Sequence, residues 1–251
     1  MDKQRFFIPA NGKDDNAYRD AIEYASKLAK EIPGVKKVVL LIYTKTQISL
    51  FDGIFGRETI MQLLKGKNLN GDNLIFKIET VMTYRESYNK SDIVITFTLD
   101  SEKLFLIDDY YSVQAIIAIP WLINDLDKWL KVWGPINIRN GNHYTVTYPE
   151  PTCIVKKAMQ ALTQSINMST GITHPSDANL AKTYILALHK FEDQLDAEIV
   201  GAYLVRVLNW RTDNAQEIEK LIATLNNGSY FKGGTRVGLK AYYSRWKEAC
   251  I

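Results

Sequence analysis

Val38-Val39-Leu40-Leu41-Ile42, inside the segment Val35 to Tyr43, is a continuous block of β-branched and aliphatic residues. A strand with one wet face alternates polar and apolar residues, so an unbroken run of strand length predicts a strand covered on both faces. Ala115-Ile116-Ile117-Ala118-Ile119 is a second apolar run of strand length, and Asp92 to Leu99 is a further strand. Several such strands imply a sheet sandwiched between helices.

The intervening segments supply those helices. Arg5 to Ile8 reads as a short strand, followed by a loop through Asn11-Gly12 and an amphipathic helix from about Asn16 to Ile32. Asp14 or Asp15 caps its start and Pro33-Gly34 ends it, completing a βαβ unit. Arg57 to Lys65 is a shorter helix with Ile60, Met61 and Leu64 on its buried stripe, and Leu74 to Met82 is an alternating strand. The polar link from Met82 to Asp92 is too short for a helical crossover between parallel neighbours, which predicts an antiparallel pair. Ser101 to Tyr110 gives one or two helical turns. Val113 to Ile119 is a strand, and a helix from Asn124 to Val132 stops at Gly134-Pro135. His143 to Tyr148 is expected to add an edge strand. Residues 1–148 therefore read as an α/β, Rossmann-like domain with a mostly parallel, partly mixed open sheet.

Pro149-Glu150-Pro151 breaks this pattern, and residues 149–251 read as an all-α helical bundle. Its helices run over about Thr152 to Ser165, Asp177 to Lys190, Asp196 to Leu208 and Asn214 to Leu225. Ser176 or Asp177 is the expected cap of the second, and Thr212 or Asp213 that of the fourth. Asn167 to Asp177 reads as a fixed turn leading into a helix. The segment from Gly228 onward interleaves aromatics with Lys232, Arg236, Lys240, Arg245 and Lys247, and Leu239 to Ala249 can form a last amphipathic helix.

Composition narrows the function classes. With 46% hydrophobic and 24% charged residues the chain is expected to fold as a globular protein, and no apolar run reaches the roughly 20 residues of a membrane span. The first residues lack the apolar core and cleavage site of a leader. Two cysteines, Cys153 and Cys250, give no disulfide framework of a secreted scaffold, so a cytoplasmic address is expected. The net charge of +3 does not by itself indicate nucleic-acid binding.

No glycine-rich phosphate motif, nucleophile elbow or metal-ligand spacing is present; His143, His174 and His189 are scattered, no metal site is indicated, and the sequence does not identify a cofactor. Ligands of open α/β sheets lie outside the carboxyl ends of the strands, which here collects Asn11, Lys13, Thr44, Lys45, Thr98, Pro120 and Trp121 as ligand-binding candidates. Asp100, at the end of its strand, is the candidate catalytic acid or base, with helix capping as its structural alternative. The leading expectation is a ligand-binding or signalling protein. It takes a nucleotide-like or other anionic small molecule at the strand ends and self-associates or meets a protein partner through the helical half. Two alternatives are an enzyme acting on a nucleotide or nucleoside, and DNA or RNA binding by the helical half with Lys232, Arg236, Lys240, Arg245 and Lys247 on phosphates. Against the last, the expected fourth helix carries Asp213, Glu217 and Glu219.

Overall fold

The computed structural model describes residues 3–68 and 74–251, which fall into two compact units, one ending at Thr147 and the other spanning Tyr148–Ile251. The first is α/β. Its strands are β1 (Gln4–Phe7), β2 (Lys37–Ile42), β3 (Lys67–Asn68), β4 (Ile75–Thr80), β5 (Asp92–Phe97), β6 (Val113–Ile119) and β7 (Ile136–Asn137). Its helices are α1 (Asp15–Glu31), α2 (Arg57–Lys65), α3 (Ser101–Asp108) and α4 (Asp127–Trp133), with 3₁₀ turns at Lys45–Phe51 and Ile123–Leu126. The sheet order is β3-β4-β2-β5-β6-β1-β7. The six strands from β4 to β7 are parallel, and β3 pairs antiparallel with β4 at one edge.

The continuous apolar runs are explained by burial on both faces. Val38, Leu40, Ile42, Ile93, Ile95, Phe97, Ile117 and Ile119 join Ala17, Tyr18, Ala21, Ala25 and Leu28 of α1 in one core. The alternate residues Val39, Leu41, Val94, Ile116 and Ala118 are equally buried, and α3 packs on β6. Burial of a Leu or Ile side chain is worth about 1.5–3 kcal/mol, so neither face can be given up.

The expected antiparallel pair does not form. β4 and β5 are not neighbours: β2 lies between them and pairs in parallel with both. Residues 81–91 make the crossover without a helix, because an extended chain covers about 3.3 Å per residue and so reaches from one end of a strand to the other. Tyr84 anchors that link. Its ring is buried and its hydroxyl donates to the buried Asp92 carboxylate at 2.8 Å, which also accepts from Ser91 Oγ at 2.9 Å and pairs with Lys37 Nζ at 3.1 Å. The βαβ unit is likewise wider than expected, since β5 and β6 stand between β1 and β2.

The expected edge strand over His143 to Tyr148 is also absent. A turn at Asn140-Gly141 folds the chain back on itself, so that Tyr144 N donates to Pro135 O and Asn137 N to Asn142 O. Only a single antiparallel bridge, Ile136 to His143, results, and the edge beside β1 is formed by β7.

The second unit contains α5 (Cys153–Ser165), α6 (Pro175–Phe191), α7 (Ala197–Arg206), α8 (Thr212–Asn226) and α9 (Leu239–Glu248), with no strand among the described residues. Leu239, Tyr242, Tyr243 and Trp246 recur at helical spacing on α9, which packs on α5 and α6. Trp246 and Tyr242 meet Tyr184 at ring separations of 4.8 and 5.1 Å, and Tyr243 meets Phe191 at 5.1 Å. Two caps differ from expectation. His174 caps α6, with its Nδ1 accepting from Ser176 N, because Pro175 takes the first helical position and moves the cap back. Arg211 occupies the cap position of α8, and Thr212 begins the helix and is buried. In the turn before α6, Gly171 has φ +58° and packs against Asn214, where a Cβ would collide.

Cys153 and Cys250 are joined in a disulfide. Sequence spacing concealed this pair because the fold brings together residues 97 positions apart, at the start of α5 and just past α9. Among the described residues no helix is long and apolar enough to cross a membrane.

Candidate functional site

Because β4, β2, β5, β6 and β1 are adjacent and parallel, their carboxyl ends form one continuous rim. The chain leaves β2 toward β4 and leaves β5 toward β6, so the β2–β5 boundary is the point where the connections diverge. Divergence of this kind opens a crevice above the sheet.

Gln47 ties the two sides of that boundary together. Its Oε1 accepts from Tyr43 N at 2.8 Å and Thr44 N at 3.3 Å, while its Nε2 donates to Thr98 Oγ1 at 2.8 Å. Thr98 has φ +60°, a conformation unusual for a β-branched residue and costing about 1–3 kcal/mol. Its backbone N–H donates to Ile119 O at 2.8 Å, so the 3₁₀ turn after β2 and the end of β6 both hold it in that turn. The Thr44-x-x-Gln47 spacing behind an apolar run is a helix-entry signal, and it is the clue that could have singled out Gln47.

Asp100 is committed to structure at both oxygens. Oδ1 accepts from Lys103 N at 2.9 Å, capping α3, and Oδ2 pairs with Lys103 Nζ at 2.8 Å. Partial burial pushes its carboxyl upward, but the side-chain and backbone hydrogen bonds from Lys103 outweigh this and hold it below the usual range. That leaves a weak base. Lys103 Nζ also sits 5.5 Å from the centre of the exposed Tyr43 ring.

Asn11, Lys13 and Trp121 come together at the far side of the rim. Gly12 N donates to Trp121 O at 2.6 Å, which joins the loop after β1 to the loop after β6. Lys13 pairs with Asp15 at 3.3 Å, and Asp14 caps α1 and meets Arg139 at 3.0 Å. Trp121 is 45% exposed and Pro120 is buried.

A hollow on this rim lies on the other side of β2. A cavity of about 340 Å³ opens between the carboxyl ends of β2 and β4. Its apolar wall is Ile42, Ile48, Leu64 and Ile78, and its polar wall is Lys45, Lys77, Glu79, Thr80 and Thr83. Lys77 and Glu79 are paired at 2.8 Å, and the hydroxyls of Thr80 and Thr83 lie 3.2 Å apart. Lys45, at the first position of the 3₁₀ turn, is exposed and brings a positive charge to the mouth. Of the expected ligand residues, only Lys45 lines this cavity. Thr44 and Thr98 stand beside it through Gln47, and Asn11, Lys13 and Trp121 belong to a separate part of the rim.

The five cations of the C-terminal segment are exposed and do not form one stripe. Lys232 and Arg236 lie on the glycine-containing stretch before α9. Lys240 and Lys247 share one flank of α9, whereas Arg245 falls on the opposite flank at 100° per residue. The histidines are dispersed: His143 Nδ1 lies 3.0 Å from Gly134 O, His174 caps α6, and His189 is exposed on it.

The fold is an α/β unit with a mostly parallel sheet, followed by a separate helical unit. Residues 151–247, within the helical unit, are similar to a family described as a domain of unknown function, DUF1889. No curated protein and no solved structure matches the chain.

Proposed function

We propose that the α/β unit binds a small anionic molecule of nucleotide-like size and charge at the carboxyl ends of β4, β2 and β5, and that the helical unit serves self-association or a protein partner. The observation that carries this reading is the cavity with Lys45 at its mouth, beside a divergence point where Gln47 holds Thr98 in a strained turn. Strained backbone of this kind clusters at ligand sites. A cytoplasmic address belongs to the same reading, and there Cys153 and Cys250 meet a reducing thiol pool.

Titration calorimetry with a panel of nucleotides, dinucleotides and sugar phosphates tests the reading. Binding of at least one, weakened roughly tenfold or more by Lys45→Glu, is the expected result. Absence of heat with every member of the panel, in protein shown to be folded, removes it. An enzyme using Asp100 needs that carboxylate released from Lys103, and the capping geometry supports this less well; Asp100→Asn then has to abolish turnover without altering the melting temperature. Nucleic-acid binding has one favourable observation, the exposure of all five C-terminal cations. A salt-dependent gel shift lost on charge reversal at Arg236, Lys240 and Arg245 is its test.

A further inference from the structure

Ile48 and Leu64 line two hollows at once. On one side is the strand-end cavity; on the other is a more open groove of about 630 Å³ between the 3₁₀ turn and α2, whose apolar wall continues through Phe55, Ile60 and Met61. The helical stripe expected to lie wholly in the core is split here. Ile60 and Leu63 are buried, Leu64 is half-buried, and Met61 is 53% exposed. Two apolar side chains are thus shared by a hollow with a positively charged mouth and a more open groove beside it.

We propose that these adjoining hollows hold an anionic amphiphile of the alkyl carboxylate class, its head at Lys45 and its tail lying over Ile48 and Leu64 toward Phe55 and Met61. The assignment rests on the strand-end anion reading for its head group and adds the tail. Charge sets the direction. At the cavity Lys77 is neutralised by Glu79 at 2.8 Å, which leaves Lys45 as the charge that a carboxylate meets. In the groove Asp52 and Arg57 bring opposite charges at its polar border, so no second anion site competes there. The chemistry of the walls favours a tail over a polar ring, because Thr80 and Thr83 hydrogen-bond one another, Lys77 and Glu79 are paired, and Ile42, Ile48, Leu64 and Ile78 make up the apolar wall.

The full chain is titrated calorimetrically with hexanoate, octanoate and decanoate, each kept monomeric, and with the alcohols and alkylammonium ions of the same lengths. Carboxylate affinity rises about two- to fourfold per methylene, as expected for a tail leaving water. Decanoate binds about tenfold more tightly than decylammonium, and Lys45→Gln removes that preference while leaving the alcohols unchanged. Met61→Asp flattens the chain-length dependence at an unaltered melting temperature, since this side chain is exposed. Equal affinity for all head groups, or carboxylate binding without chain-length dependence, overturns the proposal. If nucleotides or sugar phosphates bind and decanoate does not, the tail assignment fails and the strand-end anion site stands. If neither binds, both fail.

Discussion

The α/β unit buries two carboxylates, Asp92 and Asp108, together with hydroxyls from Thr80, Thr96, Ser101 and Ser112, whereas the polar side chains buried in the helical unit are Thr183 and Thr212 among the described residues. Asp108 is tied to Arg5 Nε at 2.9 Å, to Trp129 Nε1 at 2.8 Å and to Lys3 at 3.6 Å. The helical unit relies instead on aromatic contacts between α6 and α9 and on a covalent bond. One half is therefore sensitive to the loss of a charge partner and the other to a change in redox state.

Reduction of Cys153–Cys250 should cause the largest effect. The chain-entropy argument for a loop of this length gives a loss of about 4–5 kcal/mol, confined to the helical unit. Hydrogen exchange with and without a reductant measures it, and equal deprotection of β2 and β5 would break the comparison. Asp108→Ala should cost roughly 3–5 kcal/mol in the other unit, because Arg5 and Trp129 lose their shared acceptor. Denaturant unfolding followed through protection of β1 and β6 reports it, with amides of α7 and α8 unmoved.

Smaller effects sharpen the contrast through pH. Asp14→Ala should cost about 1 kcal/mol by removing the cap of α1. The Ala17 N–H, followed by the hydrogen bond from Arg139, holds the Asp14 carboxyl below its usual range despite partial burial. Its contribution is present above the ordinary carboxylate range and is lost as pH falls through the depressed folded value; acid titration of the variant should lack that portion of the stability change. Tyr84 gives the opposite sign. Burial first, then the Asp92 charge, raises its hydroxyl far above the usual range. The folded state therefore holds this proton more firmly than the unfolded chain, and stability falls as pH rises past about 10. Tyr84→Phe should flatten that alkaline decline in melts of the α/β unit.

Local pattern made much of this architecture legible. Arg57 to Lys65 is α2 to the residue, Asp14 caps α1, and Gly134 ends α4 in the left-handed conformation. The order of the strands was not legible, since every parallel neighbour is decided by distant chain; the segment 81–91 looked like a hairpin link only because β2 was not known to stand between its ends. The two-residue β7 is too short to leave a periodic signal. At the site, Lys45 and Thr98 follow from the strand-end rule. Ile48 and Leu64 do not, because an apolar residue on an amphipathic segment looks the same whether it faces a core or a cavity. The disulfide pair was hidden by the same non-locality that hid the strand order.

That pair also limits how far the helical unit can open. Its Cα atoms lie 5.9 Å apart, near the first residue of α5 and just beyond α9. The bond ties the start of α5 to the residues after α9, so the helices between them are closed into one covalent loop while it is intact.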